Sequence, residues 1–200
     1  DTVGMLAAKA EQQKVSAGSI QTPGIRVEVA KTSNVIGLVR GSDPKLRDEY
    51  VLLTAHYDHI GTRAPRGGAS ADTIYNGARD NAMGTVALIA AARSFTARPP
   101  KRSVIIAALT GEEVGGFGSR YLAEHPPVPM DHIVFDLNSD GAGFDDTTIV
   151  TVVGLERTTA QEAIIKGAGR YGLGAIKDPV PEQNLFNRSD NTKFASLGVP

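Results

Sequence analysis

The sequence predicts an α/β fold: a mixed, largely parallel central sheet with helices on both faces. Short, nearly all-apolar runs recur at 50–56, 103–110 and 132–138, and a stretch with helical spacing follows each. Strands that read this way are covered on both faces. Acidic and other polar residues gather where each run ends, which is where open α/β sheets bind ligands.

Taken in order, residues 6–14 are rich in helix formers and stop at Gly18 and the Thr22-Pro23-Gly24 cluster, which reads as a short peripheral helix. Residues 25–30 alternate apolar and polar, and with 34–40 they read as neighbouring antiparallel strands. After the run at 50–56, the stretch 81–95 places Met83, Val86, Ala87 and Ala90 on one helical face, and Pro99-Pro100 ends it. The run at 103–110 is followed by a helix over 118–124, stopped by Pro126-Pro127. After the run at 132–138, a fourth strand is predicted at 148–153 and a helix from Thr158 to about Tyr171. The segment 172–188 has no period, and loops of that length are often functional. A helix over 190–197 and the entry to another strand at 198–200 close the chain. Two parts result, an N-terminal arm at 1–33 and a main domain at 34–200.

Composition removes several function classes. With 200 residues, 41% hydrophobic and 22% charged, the chain is an ordinary globular mixture able to bury a core. Lys plus Arg (21) balances Asp plus Glu (22), and the basic residues are scattered, so no nucleic-acid partner is expected. No apolar run reaches the roughly 18 residues of a membrane span. The absence of cysteine excludes thiolate chemistry, so any transition metal must be held by His, Asp and Glu.

The candidate residues lie at the strand ends. In His56-Tyr57-Asp58 the first and third side chains share a face of an extended chain, so Asp58 can hold the His56 imidazole from behind. Asp80 opens the helix after Asn76-Gly-Ala-Arg, where a helix cap is the competing reading. Glu112 and Glu113 follow the second run among glycines, and adjacent side chains can serve different partners. Asp140 follows the third run, where a turn aspartate beside Gly141 competes. Each alone is ambiguous. Together they place several carboxylates and an imidazole on one sheet edge, which a cation would relieve.

His56-Tyr-Asp58, Asp80-Asn-Ala-Met-Gly84, Gly111-Glu-Glu-Val-Gly-Gly-Phe-Gly-Ser119, Asn138-Ser-Asp140 and Arg188-Ser-Asp190 resemble, in order and spacing, the co-catalytic di-zinc aminopeptidase family. That family includes bacterial leucyl aminopeptidases, glutamate carboxypeptidase and glutaminyl cyclases. The resemblance covers about 34–200 and implies a zinc aminopeptidase-like, phosphorylase/hydrolase-type sandwich: a zinc peptidase catalytic domain at 34–200, incomplete at its C-terminus, with the arm at 1–33 as the tail that follows an inserted protease-associated domain. It implies that His56 and Asp140 hold one zinc, that Glu113 helps hold a second, and that Asp80 bridges them. Glu112 would be the general base for water attack on a peptide bond. The bond after Asp80 would be cis, and Arg188, Asp190 and Asn191 would border the substrate.

The implied activity is removal of N-terminal residues from peptides, in a secreted or periplasmic setting. Carboxypeptidase or glutaminyl cyclase activity on the same scaffold, or a non-catalytic binding domain, are the alternatives; the retained acidic cluster argues against the last. In the family, a His some tens of residues after Arg-Ser-Asp completes the second zinc site, and the chain ends before it. His59, so close to His56, and also His125 and His132 are read as surface or packing residues. One tightly held zinc is therefore expected here, of the two in a complete catalytic domain. Self-association through an unpaired sheet edge after Pro200 is also expected.

Overall fold

The computed structural model describes residues 31–63, 72–141 and 146–200. The expected helix at 6–14 and strand at 25–30 lie outside them. The chain divides into Asp1–Lys31 and Thr32–Pro200, and the second unit is described here.

Its central sheet holds β1 (Val35–Val39), β2 (Tyr50–His56), β3 (Ser103–Leu109) and β4 (Ile133–Asn138), in the order β1-β3-β2-β4. β2 pairs in parallel with β3 and β4, while β1 runs antiparallel on β3. The sheet is mixed and largely parallel, as the apolar runs predict. Register then positions the site. Tyr50 pairs with Ser103 and His56 with Leu109, so the polar segment after Leu109 leaves the sheet level with His56. Thr54 pairs with Asn138, which brings the segment to Asp140 out at the same edge.

Alternation along β2 and β3 sends side chains to two cores. Leu53, Ala55 and Val104 pack with Leu88 on one face, and Leu52, Ile105, Ala107, Leu109 and Ile133 pack with Leu122, Phe194 and Val199 on the other. The first is covered by α1 (Met83–Ala97), the second by α2 (Phe117–Glu124) and α4 (Asn191–Ala195). Truncating Leu88 or Phe194 to Ala should cost about 2–5 kcal/mol. The face of α1 that packs is not the predicted one. Gly84, Leu88, Ala91 and Phe95 face the sheet, while Met83, Val86, Ala87 and Ala90 are exposed. Gly84 decides this, because a Cβ there would meet the Asn81 side chain and the Ser139 carbonyl.

The C-terminal part departs further from expectation. β5 (Ile149–Thr151) does not join the central sheet; it pairs in parallel with β6 (Gly174–Ile176), with α3 (Gln161–Gly169) between them in the chain. β6 lies in the segment read as having no period, followed by tight turns at Pro181–Gln183 and Leu185–Asn187. At the end of the chain, the Asp136 amide donates to the Pro200 carbonyl at 2.9 Å, so residues 198–200 begin to run beside β4. Among the described residues no helix is long and apolar enough to cross a membrane.

Candidate metal centre

The strand ends deliver two donor groups that share Asp80. The first is centred on His56, the last residue of β2, which is 1% exposed. Its Nε2 lies 3.2 Å from Asp80 Oδ1 and 3.2 Å from Asp140 Oδ1. Its Nδ1 donates to the Asp58 carbonyl at 3.1 Å, which leaves Nε2 as the nitrogen turned to the carboxylates. The other Asp140 oxygen accepts from Ser189 Oγ at 2.5 Å, and Ser189 Oγ accepts from Asn138 Nδ2 at 2.8 Å.

Asp80 stands on the turn Ala78–Ala82, where the Asp80–Asn81 peptide bond is cis, as the resemblance implies. Asn81, fully buried, ties this turn to the Asp140 loop. Its Nδ2 donates to the Ser139 carbonyl at 2.8 Å, and its Oδ1 accepts from the amides of Gly84 at 3.1 Å and Gly141 at 3.3 Å. Neither Asn81 nor Ser189 has a role in the sequence reading, although both stand inside the quoted motifs.

The second group is Asp80, Glu113 and His59, whose donor atoms lie within 4.8 Å of one another. His59, read from the sequence as a surface or packing residue, packs edge-on against Tyr75 and stands beside Glu113. His59 Nδ1 stands 2.6 Å from Glu113 Oε1. The contact is out of hydrogen-bond alignment, and both atoms are shielded from solvent without a hydrogen-bond partner. His125, by contrast, stacks on Tyr121, and His132 precedes β4 at the far end of the sheet.

Asp58 acts differently from expectation. Its carboxylate is 3.8 Å from His56 Nδ1, and its backbone carbonyl holds the ring instead. The carboxylate accepts from the amides of Glu112 at 3.2 Å and Glu113 at 3.3 Å, fixing the turn that carries both glutamates.

Electrostatics follow from crowding acids at one edge. Burial, reinforced by the charges of Asp140, Asp190 and Glu113 and opposed by His56, pushes the Glu112 carboxyl up to about 7. Burial opposes a charged His56, yet the hydrogen bond and charge of Asp140 outweigh it and raise the ring to about 9. Burial would raise Asp140, but the hydrogen bonds from His56 and Ser189 hold it below its usual value. Beneath the site, burial pushes Asp136 up to about 7 and also raises Asp190. These values describe the metal-free protein.

A cavity of about 190 Å³ adjoins the site, lined by Glu112, Gly116, Arg188, Ser189 and Lys193 among others. Arg188, expected from the resemblance to border substrate, lines this cavity. Asp190 does not: it is 1% exposed and closed off behind the site. The Asn191 amide donates to the Phe186 carbonyl at 3.0 Å, holding the loop rather than facing the cavity.

Imidazole nitrogens and carboxylate oxygens, with no thiolate, are donors suited to zinc, and the shielded His59 Nδ1 and Glu113 Oε1 atoms lack hydrogen-bond partners that would compete with a cation. A probable zinc metalloprotease of Pyrenophora tritici-repentis is 33% identical over 164 residues, covering 78% of this chain and 33% of that protein. A vacuolar membrane protease of Neurospora crassa is 28% identical over 132 residues, covering 62% and 11%. The chain thus spans a third or less of these curated relatives.

Among solved structures, a zinc aminopeptidase from Bacillus subtilis shares the fold with a TM-score of 0.63 at 21% identity, over 83% of this chain and 38% of that one. A glutaminyl cyclase from Bacteroides thetaiotaomicron does so at 0.59 and 20%, over 82% and 60%. A peptidase M28 precursor from Shewanella amazonensis is 27% identical, with a TM-score of 0.54, over 83% and 34%. Residues 34–200 match the sequence profile of peptidase family M28, and the chain belongs to that family of metallopeptidases, with zinc as the metal its donors would hold.

Proposed function

We propose that this chain carries the catalytic core of an aminopeptidase, which hydrolyses the first peptide bond of a peptide with Glu112 as the proton acceptor. The observation that carries the reading is the placement of Glu112. It adjoins both donor groups, its amide is fixed by Asp58, and it lines the cavity that Arg188 borders. Zinc, when bound by His56, Asp80 and Asp140 and by the neighbouring group, supplies a Lewis acid that acidifies water and polarises the scissile carbonyl.

The protein's own residues do the rest. Glu112, with its amide fixed by Asp58 and its side chain on the cavity, is placed to accept a proton from water and deliver it to the leaving amine. Asp140 and the Asp58 carbonyl fix the His56 ring, and Ser189 fixes Asp140, so the donors are oriented before substrate arrives. Arg188 offers a fixed positive charge at the cavity rim. A setting outside the cytosol accords with the vacuolar membrane named for fungal relatives and the word precursor in the name of a Bacteroides leucine aminopeptidase.

The test is Glu112→Gln in zinc-loaded protein. Turnover should fall by about 10²- to 10⁴-fold with zinc content unchanged, because a proton acceptor is lost but no ligand. Unchanged turnover would reassign the base. Product analysis fixes the direction: a freed N-terminal residue supports the reading, whereas a freed C-terminal residue or ammonia from N-terminal glutamine replaces it with a carboxypeptidase or a cyclase.

A further inference from the structure

We infer that Asp136, as a protonated carboxyl, heads a hydrogen-bond chain through Thr54, Asn138 and Ser189 that holds Asp140 in position for a cation. The inference rests on the reading of Asp140 as a zinc ligand. It makes Asp136 a positioning residue, which acts on the site through other side chains. Neither Asp136 nor Thr54 stands inside the motifs that carry the family resemblance.

Register builds the chain. Asp136 and Asn138 are two residues apart on β4 and share one face of the sheet, and Thr54, fully buried on β2, pairs with Asn138. Thr54 Oγ1 lies 3.2 Å from Asp136 Oδ1 and 3.0 Å from Asn138 Oδ1. Asn138 Nδ2 donates to Ser189 Oγ at 2.8 Å, and Ser189 Oγ donates to Asp140 Oδ2 at 2.5 Å.

Counting hydrogens fixes the direction. The two oxygen-to-oxygen contacts at Thr54 require two hydrogens, and its hydroxyl supplies one. Asn138 Oδ1 has none to give, because the amide hydrogens are on Nδ2. The second hydrogen is therefore on Asp136. Its surroundings favour that proton: burial, reinforced by the negative charge of Asp190 at the start of α4 and opposed by the Thr54 contact, pushes the carboxyl up to about 7. Its Oδ2 is shielded from solvent without a hydrogen-bond partner, where a full charge would be costly.

Every donor then points toward Asp140: Asp136 to Thr54, Thr54 to Asn138 Oδ1, Asn138 Nδ2 to Ser189, and Ser189 to Asp140. The Ser189 hydrogen is committed to one Asp140 oxygen, which leaves the other, beside His56 Nε2, to meet a cation. An ionised Asp136 would draw the Thr54 hydrogen to itself, and Asn138 Oδ1 would lose the donor that keeps its amide turned to Ser189.

The experiment compares wild type with Asp136→Asn, Asp136→Leu and Thr54→Val. In the infrared difference between metal-free wild type and Asp136→Asn at pH 6, the carbonyl band of a protonated carboxylic acid should belong to wild type. In an equilibrium zinc titration against a chromophoric chelator, Asp136→Asn, whose amide N–H makes the same donation, should bind within about twofold of wild type. Asp136→Leu and Thr54→Val should each weaken the His56 position by about 2- to 10-fold, the contribution of one hydrogen bond. The double variant should bind no more weakly than the weaker single, because both substitutions cut one chain. Should Asp136→Leu fail to fold, Thr54→Val and the infrared band carry the test. No wild-type band, an Asn variant as weak as the Leu variant, or losses that add in the double variant overturns the inference. A wild type that shows the band but holds no zinc would instead overturn the metal reading of Asp140 and leave the donor chain standing.

Discussion

The two donor groups that share Asp80 are built from different materials. The His56 group hangs on the end of a buried strand, and every donor but Asp80 is pinned: His56 by the Asp58 carbonyl, Asp140 by Ser189, Ser189 by Asn138. The His59 group rests on two turns. His59 and Glu113 are 20% and 18% exposed, and their contacting atoms have no hydrogen-bond partner. Rigid sheet geometry organises one position in advance, whereas the other is organised by loop packing around Gly77 and by the grip of Asp58 on the glutamate turn. Pre-organisation costs less on binding, so the His56 position should fill first.

The sharpest way to break this contrast is His56→Ala. It removes the imidazole of the better-organised position, and zinc affinity there should fall by well over about 100-fold. Calorimetric titration should show the tight step vanish while the weaker one survives; loss of the weak step instead would reverse the ranking.

Smaller effects separate the supports. Ser189→Ala should weaken the first position about 10- to 100-fold and spare the second. Asp58→Ala releases the amides of Glu112 and Glu113, so its loss of similar size should fall mainly on the second position. Equal losses at both positions in either variant would mean that the two groups are not separately supported.

The smallest expected effect is the pH response of the metal-free protein. Glu112 and Asp136 sit at about 7 and His56 at about 9, each above its ordinary value. A raised group holds its proton more tightly when folded, so its stabilisation is complete below its unfolded value and is lost as pH rises through its folded one. Asp140, lowered, contributes the opposite way and only in acid. The melting temperature should therefore fall by about 5 °C or more from pH 5 to pH 9. Zinc should reverse the fall, since it binds the deprotonated donors. A metal-free melting temperature that rises over this range would contradict the crowding of acids described at the site.

What could be read from the sequence was what burial writes into it. β2 begins and ends at the predicted residues, because a strand covered on both faces is an uninterrupted apolar run whose polar neighbours mark its ends. His56, Asp80, Glu113 and Asp140 come together because those ends share one edge. The face of α1 was not legible, since the helix is apolar nearly all round and only the close approach at Gly84 selects the packed side. β6, three residues long, is too short to carry a period. That His59 stands beside Glu113 was not legible either, since its distance along the chain from His56 says nothing of what faces it across the sheet edge.

Asp58 carries a consequence for how the site tolerates change. One residue presents its carbonyl to His56 and its carboxylate to the amides of Glu112 and Glu113. The three-residue run His56-Tyr57-Asp58 therefore works as a ruler between the imidazole and the glutamates. A residue inserted or deleted within it would move both contacts at once, and no substitution elsewhere could restore one without spoiling the other. Tyr57, midway along the ruler, sends its hydroxyl away from both contacts to the Ser33 carbonyl at 2.6 Å, so what the ruler itself requires of it is one residue of length.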